Sequence, residues 1–425
     1  MKRFLVLLMI CALLLSSCSG VGTKDPMQSM QTESEEVIAT VETEGTEAPE
    51  VTTETVTTEA VTEEPVIEEK RASVLGVGDA IVHPGIWMQA RKEADYGSTG
   101  REYDFSHLFD GIRDEIMAAD IAFINQETLM AGAEYGYSGY PRFNTPRDLA
   151  TDIIEAGFDV VNIANNHMLD MLPDGLASTI DFWNEQDCLL IGGYKSEKDY
   201  NNVRVIESNG IKVAFLSYCY GTNGLTMPAE YELIIPYLNA DVIRAQCEAA
   251  KELADFVLVS VHWGTDSLQA ITEQQRTYAQ VFADCGVDAV LGHHPHLLQP
   301  ITYITGKNGN EMLCAYSLGN LFSLMADSEN MIGGMLTFDM VLRGEEKDIE
   351  NVRFTPTYFY YNTGFFGQWT YPLAEVPENV TATHGTQNYE GIVPMTKAEM
   401  IAYVQEQIDN AFLPEELRVG AEGGT

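Results

Sequence analysis

Short apolar runs alternate with amphipathic stretches along the chain after residue 71. Period-two and fully apolar runs predict strands, and they lie at 73–77, 121–124, 160–164, 188–191, 203–207, 211–217, 256–261, 289–291, 311–317, 332–341 and 352–360. Helical periodicity marks 105–118, 147–156, 173–186, 240–253, 273–284 and 397–412. The segment Ser208-Asn209-Gly210 separates two of these runs and is a hairpin signal. Strand and helix signals alternate first, and strands follow in succession from 301 to 361, which predicts an α/β fold of two packed mixed sheets with helices outside.

Five of the predicted strands end in residue types that bind metals. These strand ends are Gly78-Asp79, Asn125-Gln126-Glu127, Asn165-Asn166-His167, His262-Trp263-Gly264 and Gly292-His293-His294-Pro295-His296. An α/β protein carries its ligands on the loops at one edge of a sheet, so we expect these segments to converge. A mixed oxygen and nitrogen set suits Mn, Fe or Zn better than a thiolate site does. The pattern makes the chain a candidate two-metal hydrolase.

Each segment also has a structural interpretation. Asn165 and Asn166 before His167 are compatible with a helix N-cap followed by a chance histidine. His262 ends a strongly apolar run and is either a satisfied core residue or a ligand. Three of the eight histidines lie within 293–296, and alternation along a strand would direct two of them to the same side.

Arg142 lies in the loop 140–146, between Glu127 and the next predicted helix. A guanidinium can form a bidentate contact with a carboxylate or a phosphate, so Arg142 is a candidate local cation for substrate. The alternative is a surface arginine in a proline-bounded turn.

The N-terminal residues have the form of a bacterial lipoprotein signal. Lys2 and Arg3 precede an apolar stretch over 4–14, which is followed by Leu15-Ser16-Ser17-Cys18. The apolar stretch is too short to span a bilayer as a helix. We predict a signal peptide over 1–17 and lipidation of Cys18, which would hold the protein on the outer face of the plasma membrane. The alternatives are an ordinary signal peptide and a short anchor that happens to contain cysteine.

Residues 18–71 are rich in Thr, Glu, Val, Ala and Pro and are predicted to be a disordered, lipid-anchored linker. Residues 19–70 hold 14 of the 64 acidic residues and only Lys24 and Lys70 as bases. The remaining 50 acidic and 20 basic residues give 71–425 a formal charge of −30. This charge argues against nucleic-acid binding, and any polyanionic substrate must be met by local cations or metals.

After the two N-terminal cysteines, five remain, widely spaced and without a C-x-x-C pair. They are interpreted as buried free thiols rather than as a nucleophile or a thiolate metal site.

The order of the motifs resembles that of the CapA family of capsule-synthesis proteins, which are associated with poly-γ-glutamate and belong to the calcineurin-like metallophosphatase superfamily. The similarity runs over about 73–355 and includes Tyr316-Ser317-Leu318-Gly319-Asn320. The resemblance implies a metallophosphatase-like four-layer αββα sandwich with a dinuclear metal centre. It places the domain at 72–361 and leaves 362–425 as a C-terminal extension with a short helix.

The resemblance also implies roles for individual residues. Asp79 and His296 would bind the first metal, Glu127 would bridge, and the second metal would be bound by Asn166, His262 and His294, with His293 as the alternative to His294. His167 would act as general acid or oxyanion partner. Metallophosphatases usually begin with Asp-x-His, but Ile81 stands at that histidine position, and His83 would replace it only if its loop folds back.

Three functions follow from this resemblance. The first is a membrane-anchored metallohydrolase acting on an extracellular anionic polymer or a γ-glutamyl amide. The second is a non-catalytic scaffold or export partner for the subunits of a polyglutamate synthase, which the missing histidine favours. The third is a general surface phosphoesterase.

Overall fold

The computed structural model describes residues 68–420. The predictions of a signal peptide over 1–17, of lipidation at Cys18 and of most of the linker lie outside the described residues. The strands are β1 (Glu69–Ala80), β2 (Ile121–Gln126), β3 (Val160–Asn162), β4 (Leu189–Ile191), β5 (Arg204–Ser208), β6 (Ile211–Cys219), β7 (Phe256–His262), β8 (Ala289–His293), β9 (Leu298–Thr305), β10 (Glu311–Leu318), β11 (Asn320–Phe322), β12 (Ile332–Arg343), β13 (Glu346–Tyr360) and β14 (Trp369–Pro372). The α-helices are α1 (Pro84–Glu93), α2 (Tyr96–Thr99), α3 (Arg113–Ala118), α4 (Asp148–Ala156), α5 (Leu172–Asn184), α6 (Glu197–Tyr200), α7 (Ala240–Lys251), α8 (Glu273–Cys285) and α9 (Lys397–Gln407).

The strands form two mixed sheets. The first sheet has the order β14-β13-β12-β1-β2-β3-β4, and β11 pairs with the end of β1. Its β1 to β4 half is parallel, whereas β12, β13 and β14 are antiparallel. The second sheet has the order β5-β6-β7-β8-β10-β9, with β6, β7, β8 and β10 parallel and the two edge strands antiparallel.

The two sheets pack face to face, and alternation along β7 shows how. Phe256 and Leu258 belong to the core that also contains the first sheet, whereas Val257 and Val259 belong to a second core formed with helices α7 and α8. Between the sheets, the rings of Phe123 and Phe215 stack with centroids 6.3 Å apart. The buried faces of α4 and α5 join the first core. The predicted fold of two mixed sheets with helices outside is confirmed.

The prediction of one continuous helix over 105–118 is wrong. The structure has a 3₁₀ turn at Ser106–Leu108 and then the short helix α3. The chain between them passes so close to β14 that a Cβ at Gly111 would lie 2.3 Å from the carbonyl oxygen of Thr370. The sequence pattern also missed α1 and β14. Their side chains meet partners far along the chain, and a local pattern contains no information about those partners.

The predicted hairpin is present between β5 and β6. Asn209 and Gly210 form its two-residue turn, with φ of 52° and 74°. Positive φ at both positions is the type I′ geometry, for which Asn-Gly is the preferred pair.

The five cysteines after residue 71 are free thiols, as predicted. Cys219, Cys247 and Cys314 are buried, whereas Cys188 and Cys285 are only partly buried, in contrast to the prediction. Within the described residues, no helix has the length and apolar character needed to cross a membrane.

The C-terminal segment packs on the domain. The described residues, 68–420, belong to one compact unit. Met400 and Val404 of α9 join the main core, and the Tyr403 hydroxyl accepts from the backbone N–H of Leu298 at 3.1 Å. Strand β14 extends the first sheet beyond residue 361.

Because α9 contributes buried apolar surface, we expect Met400→Ala to lower the free energy of unfolding by about 2–5 kcal/mol. The side chain of Met400 is 0% exposed. Val393 is 80% exposed, and Val393→Ala is expected to change stability by less than about 0.5 kcal/mol. Urea unfolding followed by circular dichroism measures both. An equal effect of the two substitutions would show that α9 is not part of the cooperative unit.

Candidate metal centre

The candidate ligands lie at the carboxyl ends of strands, as the sequence pattern predicts. Asp79 lies near the end of β1, Glu127 follows β2, and His262 and His293 are the last residues of β7 and β8. Close backbone approach at this edge requires glycine at two positions. A Cβ at Gly78 would lie 2.4 Å from the carbonyl oxygen of Gly319, and one at Gly292 would lie 2.2 Å from that of Tyr316.

Asp79 is buried and surrounded by donors. Its Oδ1 accepts from Asn125 Nδ2 at 2.8 Å and lies 2.8 Å from His293 Nδ1. Its Oδ2 accepts from the backbone N–H of His294 at 3.1 Å and lies 3.1 Å from His296 Nδ1. Burial alone would raise the pKa of Asp79, but the hydrogen bonds with His293 and His296 outweigh burial and hold the pKa well below its usual range. The low pKa keeps the side chain of Asp79 ionised as a carboxylate.

A chain of buried side chains connects Asp79 to the second sheet. Ser217 Oγ donates to Asn162 Oδ1 at 2.5 Å, Asn162 Nδ2 donates to Asn125 Oδ1 at 2.7 Å, and Asn125 donates to Asp79. Asn162 and Ser217 were not among the predicted site residues. A polar residue inside an apolar run was the available signal, because a buried polar group needs a partner.

Glu127 has the opposite environment. Its side chain is buried, and among residues 68–420 neither carboxylate oxygen has a hydrogen-bond partner. Oε1 lies 3.5 Å from His296 Nε2 and 3.6 Å from His262 Nε2. Burial raises the pKa of Glu127 well above its usual range. A buried carboxylate without donors is costly unless a cation compensates it, so this carboxylate fits a metal ion.

Two groups of side chains place their ligand atoms within 4.8 Å of one another, and Glu127 belongs to both. One group adds His294 and His296, and the other adds Asp79 and His262. The sequence-based assignment differs in part, because it placed Asp79 with His296 and His262 with His294. The shared position of Glu127 is the geometry expected of a bridging carboxylate. The described part of the chain therefore offers overlapping ligand sets for divalent metal.

The neighbouring residues His293 and His294 have different roles. His294 is in a ligand group, whereas His293 contacts Asp79. The structure brings two of the three histidines, His294 and His296, into one ligand group, as predicted, but a turn and not strand alternation places them there. Strand β8 ends at His293, and His294 and His296 adopt left-handed conformations with φ of 98° and 57°. Such strain is uncommon outside glycine and clusters at functional sites.

Two histidines of the centre, His262 and His294, are suited to binding metal as neutral ligands. Burial lowers the pKa of His262 well below its usual range and that of His294 to about 3. Burial works to lower the pKa of His296 as well, but the Glu127 and Asp79 carboxylates outweigh burial and raise it to about 9. His262 Nε2 lies 2.9 Å from Asn166 Oδ1, so the predicted ligand pair is in contact. His262 Nδ1 and His294 Nδ1 are buried and have no hydrogen-bond partner within the described part of the chain.

His167 lines the same cavity and is held by a residue that the sequence analysis missed. Its Nδ1 lies 2.7 Å from Asp170 Oδ2, which also accepts from the backbone N–H of Phe143 at 2.7 Å. The ring of Phe143 meets the imidazole edge-on, with centroids 4.8 Å apart. The signal for Asp170 was an acidic residue three positions after the histidine, within reach in a turn. The N-cap interpretation is wrong, because no helix begins at Asn165 or Asn166 in the described residues.

The centre opens into a cavity of about 560 Å³. Glu127, Asn166, His167, His294 and His296 line it, together with Tyr140, Phe143, Tyr220 and Asp266.

Two further residues had uncertain roles in the sequence. His83 lines the cavity, but its Nδ1 accepts from the backbone N–H of Leu324, and it is in neither ligand group. Arg142 is not among the residues that line the cavity, and its Nε donates to the carbonyl oxygen of Asp170 at 2.6 Å. The structure therefore does not place Arg142 beside the ligand groups.

Fold and site together define an α/β two-sheet protein with a candidate metal centre at the carboxyl ends of its strands. Residues 73–324, more than half of the chain, match the family model described as bacterial capsule synthesis protein PGA_cap. The chain therefore belongs to this family, which confirms the resemblance found in the sequence.

Two curated relatives come from Bacillus. The chain is 34% identical to the capsule biosynthesis protein CapA of Bacillus anthracis over 39% of this chain and 40% of that protein. It is 30% identical to the PGA biosynthesis protein CapA of Bacillus subtilis over 39% of this chain and 43% of that protein. The matched regions thus span less than half the length of each relative.

Among solved structures, the calcineurin-like phosphoesterase YfkN from Bacillus subtilis is similar with a TM-score of 0.42 and 14% identity. The match covers 80% of this chain and 97% of that one.

We expect divalent metal to stabilise the protein through Glu127. Saturating Mn²⁺ should raise the free energy of unfolding by about 2–3 kcal/mol relative to chelator, as binding at about 100 times Kd does. Glu127→Gln should reduce the gain to less than about 1 kcal/mol, because it removes the shared charge. Without metal, the variant should be at least as stable as the wild type, since it no longer buries an uncompensated carboxyl group.

Denaturant unfolding with and without Mn²⁺ measures this effect. Glu102 is exposed, so Glu102→Gln is the matched control and should keep the full gain. A full gain in Glu127→Gln would contradict the assignment of the centre.

Proposed function

We propose that this protein is a surface lipoprotein whose metal centre hydrolyses bonds in an extracellular anionic polymer, poly-γ-glutamate, during its synthesis, export or processing. One observation carries the proposal of a catalytic metal site: the Glu127 carboxylate is buried, receives no hydrogen bond from residues 68–420 and lies between His262 and His296. The membership of the PGA_cap family supports the link to a capsule polymer.

The donor set fits two divalent ions, Mn, Fe or Zn. Asp79, Glu127 and His262 would hold one ion, and Glu127, His294 and His296 would hold the other, with Asn166 beside His262. Such ions, when bound, polarise a phosphoryl or acyl oxygen and lower the pKa of bound water. Within the chain, His293 and Asn125 keep Asp79 in place, which leaves its charge available to the centre.

His167 is the proposed general acid. Because Asp170 occupies its Nδ1, the Nε2 atom is left to carry a proton to the leaving group. Phe143 and Tyr220 form cavity walls next to the imidazoles of His167 and His294. These walls restrict water around the reacting bond, which strengthens electrostatic interactions there.

The polymer is proposed from the relatives' names, which mention capsule and PGA biosynthesis. Polyglutamate synthase subunits are the corresponding proposed partners. A non-catalytic scaffold in export is the second candidate, because Ile81 stands where metallophosphatases usually carry a metal-binding histidine. Ile81 is buried, and His83 does not join the ligand groups.

We expect about two metal ions per chain by elemental analysis of protein purified without chelators.

We also expect cleavage of γ-glutamyl oligomers to fall by about 10²–10⁴-fold in His167→Gln, because the leaving group loses its proton donor. Mass spectrometry of the products measures the cleavage. His107 does not line the cavity, so His107→Gln is the matched control.

The outcomes separate the candidates. Bound metal without cleavage of either γ-glutamyl oligomers or phosphoesters would favour the scaffold. Cleavage of phosphoesters alone would favour the surface phosphoesterase. A folded protein without bound metal would contradict the centre itself.

For the anchor, we expect a labelled fatty acid to be incorporated into the wild-type protein in bacterial cells and to be absent from Cys18→Ser. Lipid is attached at the cysteine that follows the signal peptide, so the variant lacks the acceptor. Fluorescence of the labelled band on a gel measures incorporation, with Cys188→Ser as the control. Label retained in Cys18→Ser would contradict the proposed anchor and the membrane location.

A further inference from the structure

An apolar groove of about 460 Å³ lies beside the cavity of the metal centre. Tyr135, Met171 and Leu172 line it, and Arg142 is the basic residue among its walls. Pro141 lines both the groove and the cavity. The two spaces are therefore neighbours, separated by one turn of chain.

Arg142 presents an available guanidinium to this groove. The residue is exposed, and its Nε is fixed by the carbonyl oxygen of Asp170. Among residues 68–420, its terminal nitrogens have no hydrogen-bond acceptor and no ion-pair partner, in contrast to Arg147, whose guanidinium donates to the carbonyl oxygens of Met130 and Ala131. The Oδ2 atom of Asp170 is already engaged by the His167 ring and by the backbone N–H of Phe143. An anion entering the groove would therefore meet a pre-oriented cation.

One residue of the apolar wall, Leu172, has a strained backbone conformation. Leu172 has φ of 61°, a left-handed conformation that favours glycine, and its side chain remains 53% exposed. Tyr135 is 38% exposed beside it. A strained leucine that keeps an apolar side chain in solvent suggests a binding surface rather than a packing position.

Asp170 contacts both Arg142 in the groove and His167 in the cavity. Its carbonyl oxygen holds Arg142, and its carboxylate holds His167. A ligand whose reacting bond lies at His167 would extend past Pro141 and reach Arg142 with its next unit.

We propose that the groove is a subsite for an extended chain of carboxylate-bearing acyl units. It would hold the unit next to the bond that reacts at His167, and Arg142 would bind the carboxylate of that unit. This proposal rests on the proposed function of the metal centre. Methylene groups of such a chain suit Tyr135, Met171 and Leu172, and a carboxylate suits the bidentate fork of arginine. Because residues 71–425 carry a formal charge of −30, a local cation is needed to hold an anionic chain against the general repulsion.

The test compares chain lengths. The full-length protein, purified in detergent with Mn²⁺, is titrated calorimetrically with a γ-glutamate dimer and a γ-glutamate tetramer. We expect the tetramer to bind at least about tenfold more tightly, and Arg142→Gln to bring the ratio of the two affinities close to one. Arg353 is also exposed and has no ion pair within the described part of the chain, so Arg353→Gln is the matched control and should keep the tenfold ratio.

A second variant tests the apolar wall. Asparagine tolerates the left-handed conformation, so Leu172→Asn should fold and lower the ratio of affinities about threefold by removing apolar contact.

A length preference that survives in Arg142→Gln would overturn the subsite while leaving the proposed function intact. Failure of the wild type to bind either γ-glutamate oligomer would overturn both. Tighter binding of a glycerol phosphate tetramer than of the γ-glutamate tetramer would overturn the carboxylate assignment.

Discussion

The interaction on which the site depends is the hydrogen bonding of Asp79. This carboxylate stands on the first sheet, and His293 and the turn after it belong to the second, so the contact joins the two sheets at the edge where the cavity opens. Buried polar groups need partners in a low-dielectric interior, and Asp79 satisfies its own need while fixing the histidine turn. Asn125, Asn162 and Ser217 continue the same network into β6. The position of the ligand atoms is therefore a property of the packing of the two sheets.

Glu127 shows the complementary principle. Asp79 is stabilised as an anion by the protein itself, whereas Glu127 receives no donor from the described residues and carries a raised pKa. Burial of a carboxyl group without compensation works against folding. The surrounding structure tolerates this cost together with left-handed His294 and His296. Locally unfavourable features gathered at one point are typical of a site organised for a ligand rather than for stability.

The sequence was sufficient for the parts of the site that follow from strand direction. Parallel strands of one sheet bring their carboxyl ends together, so the proximity of Asp79 and Glu127 could be predicted from their apolar runs. His262 ends a strand of the second sheet, and the packing of the two sheets brings it to the same centre. The arrangement of His293, His294 and His296 could not be predicted, because it depends on backbone conformation after the strand has ended. Side chains alternate between two faces along a strand but not in a turn.

Other features depended on contacts between distant segments. Asn162 is a polar residue within the apolar run 160–164, and its role is visible only with Ser217 and Asn125 in place. The predicted helix over 105–118 was interrupted because Gly111 passes against β14, some 260 residues later in the chain. The location of Arg142 was likewise fixed by a carbonyl group 28 residues away. Local patterns identified which residues have suitable chemistry, while tertiary contacts determined what each of them faces.

The electrostatics of the domain limit how an anionic polymer could be bound. Charges on the surface act over a Debye length of about 8 Å at physiological salt, so the overall charge of −30 over residues 71–425 opposes approach but acts weakly inside a narrow groove. A cation fixed at short range, such as Arg142, and metal ions in the centre would then supply attraction only where the polymer is correctly placed. Repulsion elsewhere disfavours unproductive attachment to the surface. An acidic domain with a few local cations is therefore better suited to selecting one register of a polyanion than a uniformly basic surface would be.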